Sequence, residues 1–233
     1  MIKIGGWQKV TLIDYPGKLA ASVFLVGCNF LCHYCHNPEL IKVEPDKKYL
    51  SNQAFFDYLK KRQGILEAVC VSGGEPLLFP EVIDFLQKIK KLDYKIKLDT
   101  NGTSPDFLQE LIDKKLINFI AMDVKASLEN YSQVCGVKVD INKIQKTIKL
   151  IMNSGLNYEF RTTVLPKFHN LEEIEKIAKI IKGAKIYFLQ NFNNKITLNP
   201  DLANEQSFSG QELQKLKKLA LKYVKNCQIR ENL

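Results

Sequence analysis

The sequence predicts an α/β protein built on a parallel sheet with its helices outside. Two observations predict this class. Short runs rich in Val, Ile and Phe alternate along the chain with segments of helical period, and polar signatures fall where those runs end. The runs cover residues 20–26, 67–71, 95–100, 118–124, 158–164 and 185–190, each the length of a strand buried on both faces. Periodicity does not separate an open doubly wound sheet from a partial barrel of six units, but both place their chemistry at the carboxyl ends of the strands.

The helical segments follow in order. Ala54, Phe55, Tyr58 and Leu59 mark the first; Val82, Phe85, Leu86 and Ile89 the second; Phe107, Leu108, Leu111 and Ile112 the third. Ile141, Ile144, Ile148 and Ile151 mark the fourth, Leu171, Ile174, Ile177 and Ile181 the fifth, and Leu213, Leu216 and Ala220 the last. Pro105 suits a first helical position. Asn170 with Glu173, and Ser209 with Glu212, have capping-box spacing. No proline- or glycine-rich linker divides the 233 residues, so a single domain is expected, with a core of about 18–191, an N-terminal extension 1–17 and a C-terminal helix and tail 192–233.

Composition is that of an ordinary globular protein, 45% hydrophobic and 25% charged. No apolar run approaches the roughly 20 residues that span a bilayer, and the N-terminus lacks a secretory pattern, so no membrane role and a cytoplasmic location are expected. The net charge of +9 is spread over amphipathic segments rather than gathered in a basic block, which reads as lysine-rich helix surfaces; no nucleic-acid partner is expected. Of the six cysteines, Cys70, Cys135 and Cys227 are isolated and read as small core residues.

The other three, Cys28, Cys32 and Cys35, lie within eight residues after the first strand. In a reducing compartment such a cluster points to metal or catalysis rather than to disulfides. A structural zinc site closes a tetrahedron, and His33 or His36 as fourth ligand on so short a loop would strain it. An iron–sulfur cube accounts better for the count: three thiolates hold three irons and leave one for an exogenous ligand. The later strand ends carry Ser72-Gly73-Gly74-Glu75-Pro76, Asp99-Thr100-Asn101-Gly102, Asp123-Val124-Lys125, Arg161-Thr162-Thr163 and Gln190-Asn191. Polar groups at all six ends describe one shared pocket.

The Cys28-x3-Cys32-x2-Cys35 motif, with Tyr34 before the last cysteine and Gly73-Gly74-Glu75-Pro76 downstream, resembles the signature of the radical S-adenosylmethionine (SAM) superfamily. The continuation Cys35-His36-Asn37-Pro38, with "DTNG" and "DVK", is similar to the branch that activates glycyl radical enzymes. "GWQKVTLIDYPGK" and "GCNFLCHYCHNPEL" look most like the anaerobic ribonucleoside-triphosphate reductase activating proteins, and the branch also includes the pyruvate formate-lyase activating enzymes. The resemblance runs from about Gly6 to Arg230.

It implies a partial (β/α)6 TIM-type barrel and a 4Fe–4S cluster on Cys28, Cys32 and Cys35. It also implies SAM on the fourth iron and, in some relatives, a monovalent cation near the third strand. The implied activity is reductive cleavage of SAM and abstraction of a hydrogen atom from a glycine of a partner glycyl radical enzyme subunit. Flavodoxin or ferredoxin would supply the electron. No catalytic side chain is expected beyond the cluster and SAM. Gly73 and Gly74 would admit the methionine amino group, with Glu75 beside them, and Asp99 and Thr100 would lie close by. The Tyr34 backbone would meet adenine, Asp123 the ribose hydroxyls and Lys125 the methionine carboxylate. Arg161 is expected to face the same mouth, with Phe160, Thr162 and Val164 on the other face. Gln190 stands where relatives often carry a ribose-binding histidine, and His36 and Asn37 join the set as marks of the branch. The alternatives are a radical SAM enzyme acting on a small molecule or RNA base, and a non-catalytic zinc or iron–sulfur module.

Overall fold

The computed structural model describes residues 2–230; the outer ends of the expected single-domain span, residue 1 and residues 231–233, lie outside the described residues. Eight strands form one open, mostly parallel sheet in the order β1 to β8. They are β1 (Ile4–Thr11), β2 (Ala20–Leu25), β3 (Ala68–Gly73), β4 (Lys95–Thr100), β5 (Phe119–Asp123), β6 (Asn157–Val164), β7 (Tyr187–Asn191) and β8 (Cys227–Arg230). The helices are α1 (Asn52–Lys61), α2 (Val82–Lys91), α3 (Pro105–Asp113), α4 (Tyr131–Cys135), α5 (Ile141–Asn153), α6 (Leu171–Ile180) and α7 (Gly210–Ala220). None is long and apolar enough to cross a membrane among the described residues.

The six expected strands all form, and two more flank them. β1 lies antiparallel to β2, from Ile4 opposite Leu25 to Thr11 opposite Ala20. Its alternation is masked in the sequence by Gly5-Gly6 and by the polar Gln8-Lys9, as suits an edge strand open to water on one side. β8 has four residues, too few for a period to register, and pairs in parallel with β7. α4, with five residues, is likewise too short for a helical period to register.

The residues group into two compact units. The first comprises the chain up to Asn29, Glu39–Thr100 and Asp106–Ile120; the second comprises Phe30–Pro38, Asn101–Pro105 and the chain from Ala121 onward.

Within the first unit, β2, β3 and β4 run parallel, with Ala20 beside Ala68 and Ala68 beside Lys95. α1 starts where the Ser51 side chain accepts the Ala54 N–H. It buries Phe55 and Leu59, and the Phe55 ring stacks on Phe85 of α2 with centroids 5.8 Å apart. The apolar stripe of α2 is buried as its periodicity predicts, with Val82, Phe85, Leu86 and Ile89 all on the inner face. Tyr15 packs with the strand residues Ala20, Ala68, Cys70 and Phe119 as one buried cluster.

Within the second unit, β6, β7 and β8 are parallel and in register, so that Thr163, Gln190 and Arg230 are cross-strand neighbours. α5 is capped by Asp140 and buries Ile144, Ile148 and Ile151. α6 is capped by Asn170, whose side chain accepts the Glu173 N–H, and α7 carries the full reciprocal capping box between Ser209 and Glu212.

Candidate functional site

The candidate glycines of the first unit are held by backbone close approach. At the end of β3, Gly74 N–H donates to Leu25 O at 2.8 Å and Glu75 N–H donates to Gly27 O at 2.7 Å. A Cβ on Gly74 would lie 2.2 Å from the Gly27 carbonyl oxygen, and one on Gly73 would lie 2.2 Å from Leu25 N. Gly73 also has φ +123°, a conformation that side-chain-bearing residues rarely adopt. The paired glycines therefore have a reason within the chain itself: they let the tail of β3 dock on the end of β2, against the segment that enters Cys28. That segment is also pinned from its other side, by Gly27 N–H to Leu40 O and Cys28 N–H to Ile41 O at 2.8 and 2.9 Å.

Glu75 is buried, and its carboxylate accepts the Leu77 N–H at 3.1 Å and the Thr100 hydroxyl at 2.8 Å. It thus caps the following turn and fixes Thr100. Asp99 accepts from Ser72 Oγ at 3.1 Å and pairs with the buried Lys97 at 2.5 Å. Lys97 was not singled out from the sequence, because a lysine inside "KIKLDT" reads as a solvent-facing residue of a strand end. Cys70 is buried in β3, and burial pushes its thiol up to about 12, so it behaves as a core residue.

The candidate residues of the second unit are held by charge. Asp123 at the end of β5 accepts from Arg161 Nε at 2.8 Å and from Lys125 Nζ at 3.0 Å. Burial opposes ionisation of Asp123, but the two cations outweigh it and hold the carboxyl well below the usual carboxylate range. Burial likewise opposes the Lys125 cation, and Asp123 together with Cys32 outweighs it, so Lys125 stays charged. Arg161 lies 3.8 Å from Glu159, and Arg230 of β8 forms a bidentate pair with Glu159 at 3.2 and 3.0 Å while its guanidinium covers the Phe188 ring. The result is a chain of alternating charges from Lys125 through Asp123, Arg161 and Glu159 to Arg230. Glu159 and Arg230 went unread in the sequence, the first inside an apolar run and the second in the tail. Thr162 faces the opposite way, donating to Val124 O and accepting from Tyr187, as strand alternation requires.

On the cysteine loop, Cys35 N–H donates to Cys32 O at 2.9 Å, and Leu31 N–H donates to Cys135 O at 2.9 Å. The isolated Cys135 is thus more than a bystander: a hydrogen bond from it pulls the Cys32 thiol below its ordinary value, and the Lys125 cation adds to this against the effect of burial. Tyr34 is buried, with its ring near Phe168 and His169. His36 packs near Phe192, and burial lowers its basicity. Tyr34 Oη, His36 Nε2, Gln190 Oε1 and Asn191 Oδ1 are all buried without a hydrogen-bond partner. Asn37 is exposed on the same loop. His169, unassigned from the sequence, accepts the Leu165 N–H on Nδ1, so Nε2 carries the proton that reaches Lys125 O at 3.0 Å. It fixes the backbone of Lys125.

Among the described residues no group of three or more His, Cys, Asp or Glu side chains gathers around a single ion position. A groove of about 550 Å³ in the first unit, lined by residues including Lys3, Tyr49, Asn52 and Phe56, contains none of the candidate residues.

The chain matches the family model described as the radical SAM superfamily over residues 22–181. It is 36% identical to a Methanocaldococcus jannaschii protein named for glycyl-radical enzyme activation, covering 97% of this chain and 95% of that one. It is 30% identical to the pyruvate formate-lyase-activating enzyme of Clostridium pasteurianum, over 79% of this chain and 78% of that one. Among solved structures, SuiB of Streptococcus suis bound to S-adenosylmethionine superposes with a TM-score of 0.64 at 15% identity, covering 88% of this chain and 48% of that one, a likeness of fold.

Proposed function

Since the chain belongs to the radical SAM superfamily, in the branch of its glycyl-radical-enzyme-activating relatives, we propose that it activates a glycyl radical enzyme, with anaerobic ribonucleotide reductase as its target. Identity of 36% over 97% of the chain to a relative named for that activity carries the reading. The narrower target rests on the likeness of "GWQKVTLIDYPGK" and "GCNFLCHYCHNPEL" to the reductase activating proteins. The protein acts in the cytoplasm as a single catalytic domain, with flavodoxin or ferredoxin as its electron donor.

The residues present suit a 4Fe–4S cluster and SAM. Cys28, Cys32 and Cys35 supply the soft sulfur donors that iron takes, and the lowered Cys32 thiol favours the thiolate form that binds metal. The buried, unpartnered Tyr34 Oη, His36 Nε2 and Gln190 Oε1 have hydrogen-bonding capacity for a ligand. When bound there, the cluster and SAM would supply reductive radical chemistry able to take a hydrogen atom from glycine.

The side chains do the rest by position and charge. Lys125 has three N–H donors, and its bond to Asp123 leaves others for the methionine carboxylate. Arg161 keeps Asp123 ionised, so Asp123 acts as an acceptor for the ribose hydroxyls. Gly73 and Gly74 expose backbone toward the methionine amino group, while Glu75 holds Thr100, with Asp99, beside it. The Tyr34 backbone meets adenine, Gln190 takes the place of a ribose contact, and His36 and Asn37 border the cofactor.

The test is to mix reduced, reconstituted protein and SAM with a panel of candidate glycyl radical subunits and record EPR spectra. A glycine-centred doublet with the reductase subunit is expected. Release of methionine and 5′-deoxyadenosine without a doublet on any subunit of a complete panel would contradict the activase reading and favour a small-molecule or RNA-base substrate.

A further inference from the structure

Lys97 places a full positive charge inside the sheet, and the proposed chemistry does not use it. We propose that its ammonium is the built-in counter-ion of Asp99, a positioning residue that fixes this carboxylate near the end of β4 and takes the place of the monovalent cation expected in that region. The inference deepens the proposed reading, in which Asp99 borders the SAM site.

Strand geometry sets the pair. Lys97 and Asp99 are two residues apart on β4 and so share a face, Lys97 lying one pleat deeper. Cys70 of β3 lies opposite Lys97, and Ser22 of β2 lies opposite Cys70. Lys97, Cys70 and Ser22 are each 1% exposed, so water is shut out along this row. The Ser22 hydroxyl is committed to Asp14 at 2.5 Å. Lys97 Nζ reaches along its own strand instead and donates to Asp99 Oδ1 at 2.5 Å, with side-chain exposures of 2% and 15%. From β3, Ser72 Oγ donates to Asp99 Oδ2 at 3.1 Å. Each carboxylate oxygen therefore has a donor, one charged and one neutral.

The consequence follows from charge. An ammonium buried to this degree persists only with a partner, and an enclosed carboxylate needs a positive charge in turn. Either a lysine or a small metal ion could supply that charge, and here the lysine stands on Oδ1. A second cation on the same oxygen would lie against the ammonium without water between them, and like charges repel strongly where the local dielectric is low. The residues present thus do not fit a monovalent cation at Asp99. A tethered ammonium is also present at every salt concentration, so the site keeps its charge whatever ions surround the protein.

The test compares wild type, Lys97→Met and Lys97→Met/Asp99→Asn, all full-length and reconstituted with iron and sulfide. Each is placed in the chloride salts of sodium, potassium, ammonium and tetramethylammonium at equal ionic strength, the last being too bulky to replace a lysine amine. Melting temperature and the dissociation constant for SAM are read in every salt. Wild type should melt at one temperature and bind SAM equally in all four. Lys97→Met should melt lower than wild type in tetramethylammonium and regain about 4 °C, saturably, in the smaller cations, the shift expected at about ten times the dissociation constant of an ion recruited by Asp99. The double variant, with both charges gone, should show no such regain. A saturable response of wild type to sodium or potassium would overturn the inference. So would a Lys97→Met protein that melts like wild type in tetramethylammonium, or a regain that persists in the double variant. Should Lys97→Met not fold in any salt, the wild-type series decides alone, indifference supporting the inference and a saturable response overturning it. Failure of wild type to bind SAM would instead refute the reading of the site, and the melting series would still judge the ion pair.

Discussion

Apart from the Lys97–Asp99 ion pair of the first unit, the two units hold their strand-end residues by different physical means. In the first, Gly73, Gly74 and Glu75 are set by backbone packed against backbone, with hydrogen bonds from Thr100 and Leu77 to the Glu75 side chain completing the arrangement. In the second, Asp123, Lys125 and Arg161 are set by ion pairs that extend to Glu159 and Arg230. Backbone packing tolerates no added atom, whereas a charge chain tolerates loss at its exposed end better than at its buried end. Variants at the two places should therefore fail in different ways.

The largest effect is expected at Gly74. Gly74→Ala places a methyl 2.2 Å from a carbonyl oxygen that has no side-chain freedom to move away. A destabilisation of about 3 kcal/mol is expected, read as a lowered urea midpoint. An unchanged midpoint would mean that the β3 tail is not docked as described.

Within the charge chain the effect should grade with burial. Glu159 has a side-chain exposure of 2% and Asp123 one of 30%. Arg230→Met leaves Glu159 with only the more distant Arg161, and should cost about 3 kcal/mol. Lys125→Met leaves Asp123 with Arg161 and partial solvation, and should cost about 1 kcal/mol. Chemical denaturation of cluster-free protein compares the two, and the reverse ranking would break the contrast.

The smallest effect is a pH dependence at His169. Burial lowers its pKa in the folded protein, so the unfolded chain takes up a proton first, near the ordinary histidine value of about 6.5. Its contribution is fully present above that value and is lost as pH falls from there toward the folded pKa. The melting temperature of His169→Gln should therefore decline less between pH 7.5 and 5.5 than that of wild type. Parallel declines would remove His169 from the account.

Much of this was legible in the sequence, and what was not has identifiable causes. The six inner strands and six of the seven helices are visible because buried faces impose a period, as Val82, Phe85, Leu86 and Ile89 illustrate. β1 and β8 were missed because edge strands carry weak patterns. Among the candidate residues, Asp123, Lys125 and Arg161 do come together, and Arg161 lies on the face that alternation assigned to it. Glu159, Arg230 and Cys135 escaped because each acts through a partner distant in sequence, whereas Lys97, two residues from Asp99, escaped because a lysine near a strand end reads as solvent-facing. Glu159 and Arg230 are 71 residues apart, and no local spacing encodes such a pair. The glycine pair was found, but the clash that explains it, with Leu25 and Gly27, exists only once two strands are side by side.

The central claim is that Cys28, Cys32 and Cys35 hold a 4Fe–4S cluster with an iron accessible to SAM. Anaerobic reconstitution with iron and sulfide, followed by EPR of the reduced protein with and without SAM, tests it most directly. The account predicts a reduced-cluster signal that SAM perturbs in wild type and that is missing from Cys32→Ala. A protein that takes up zinc but no cluster, or a cluster signal that SAM leaves unchanged, would contradict it.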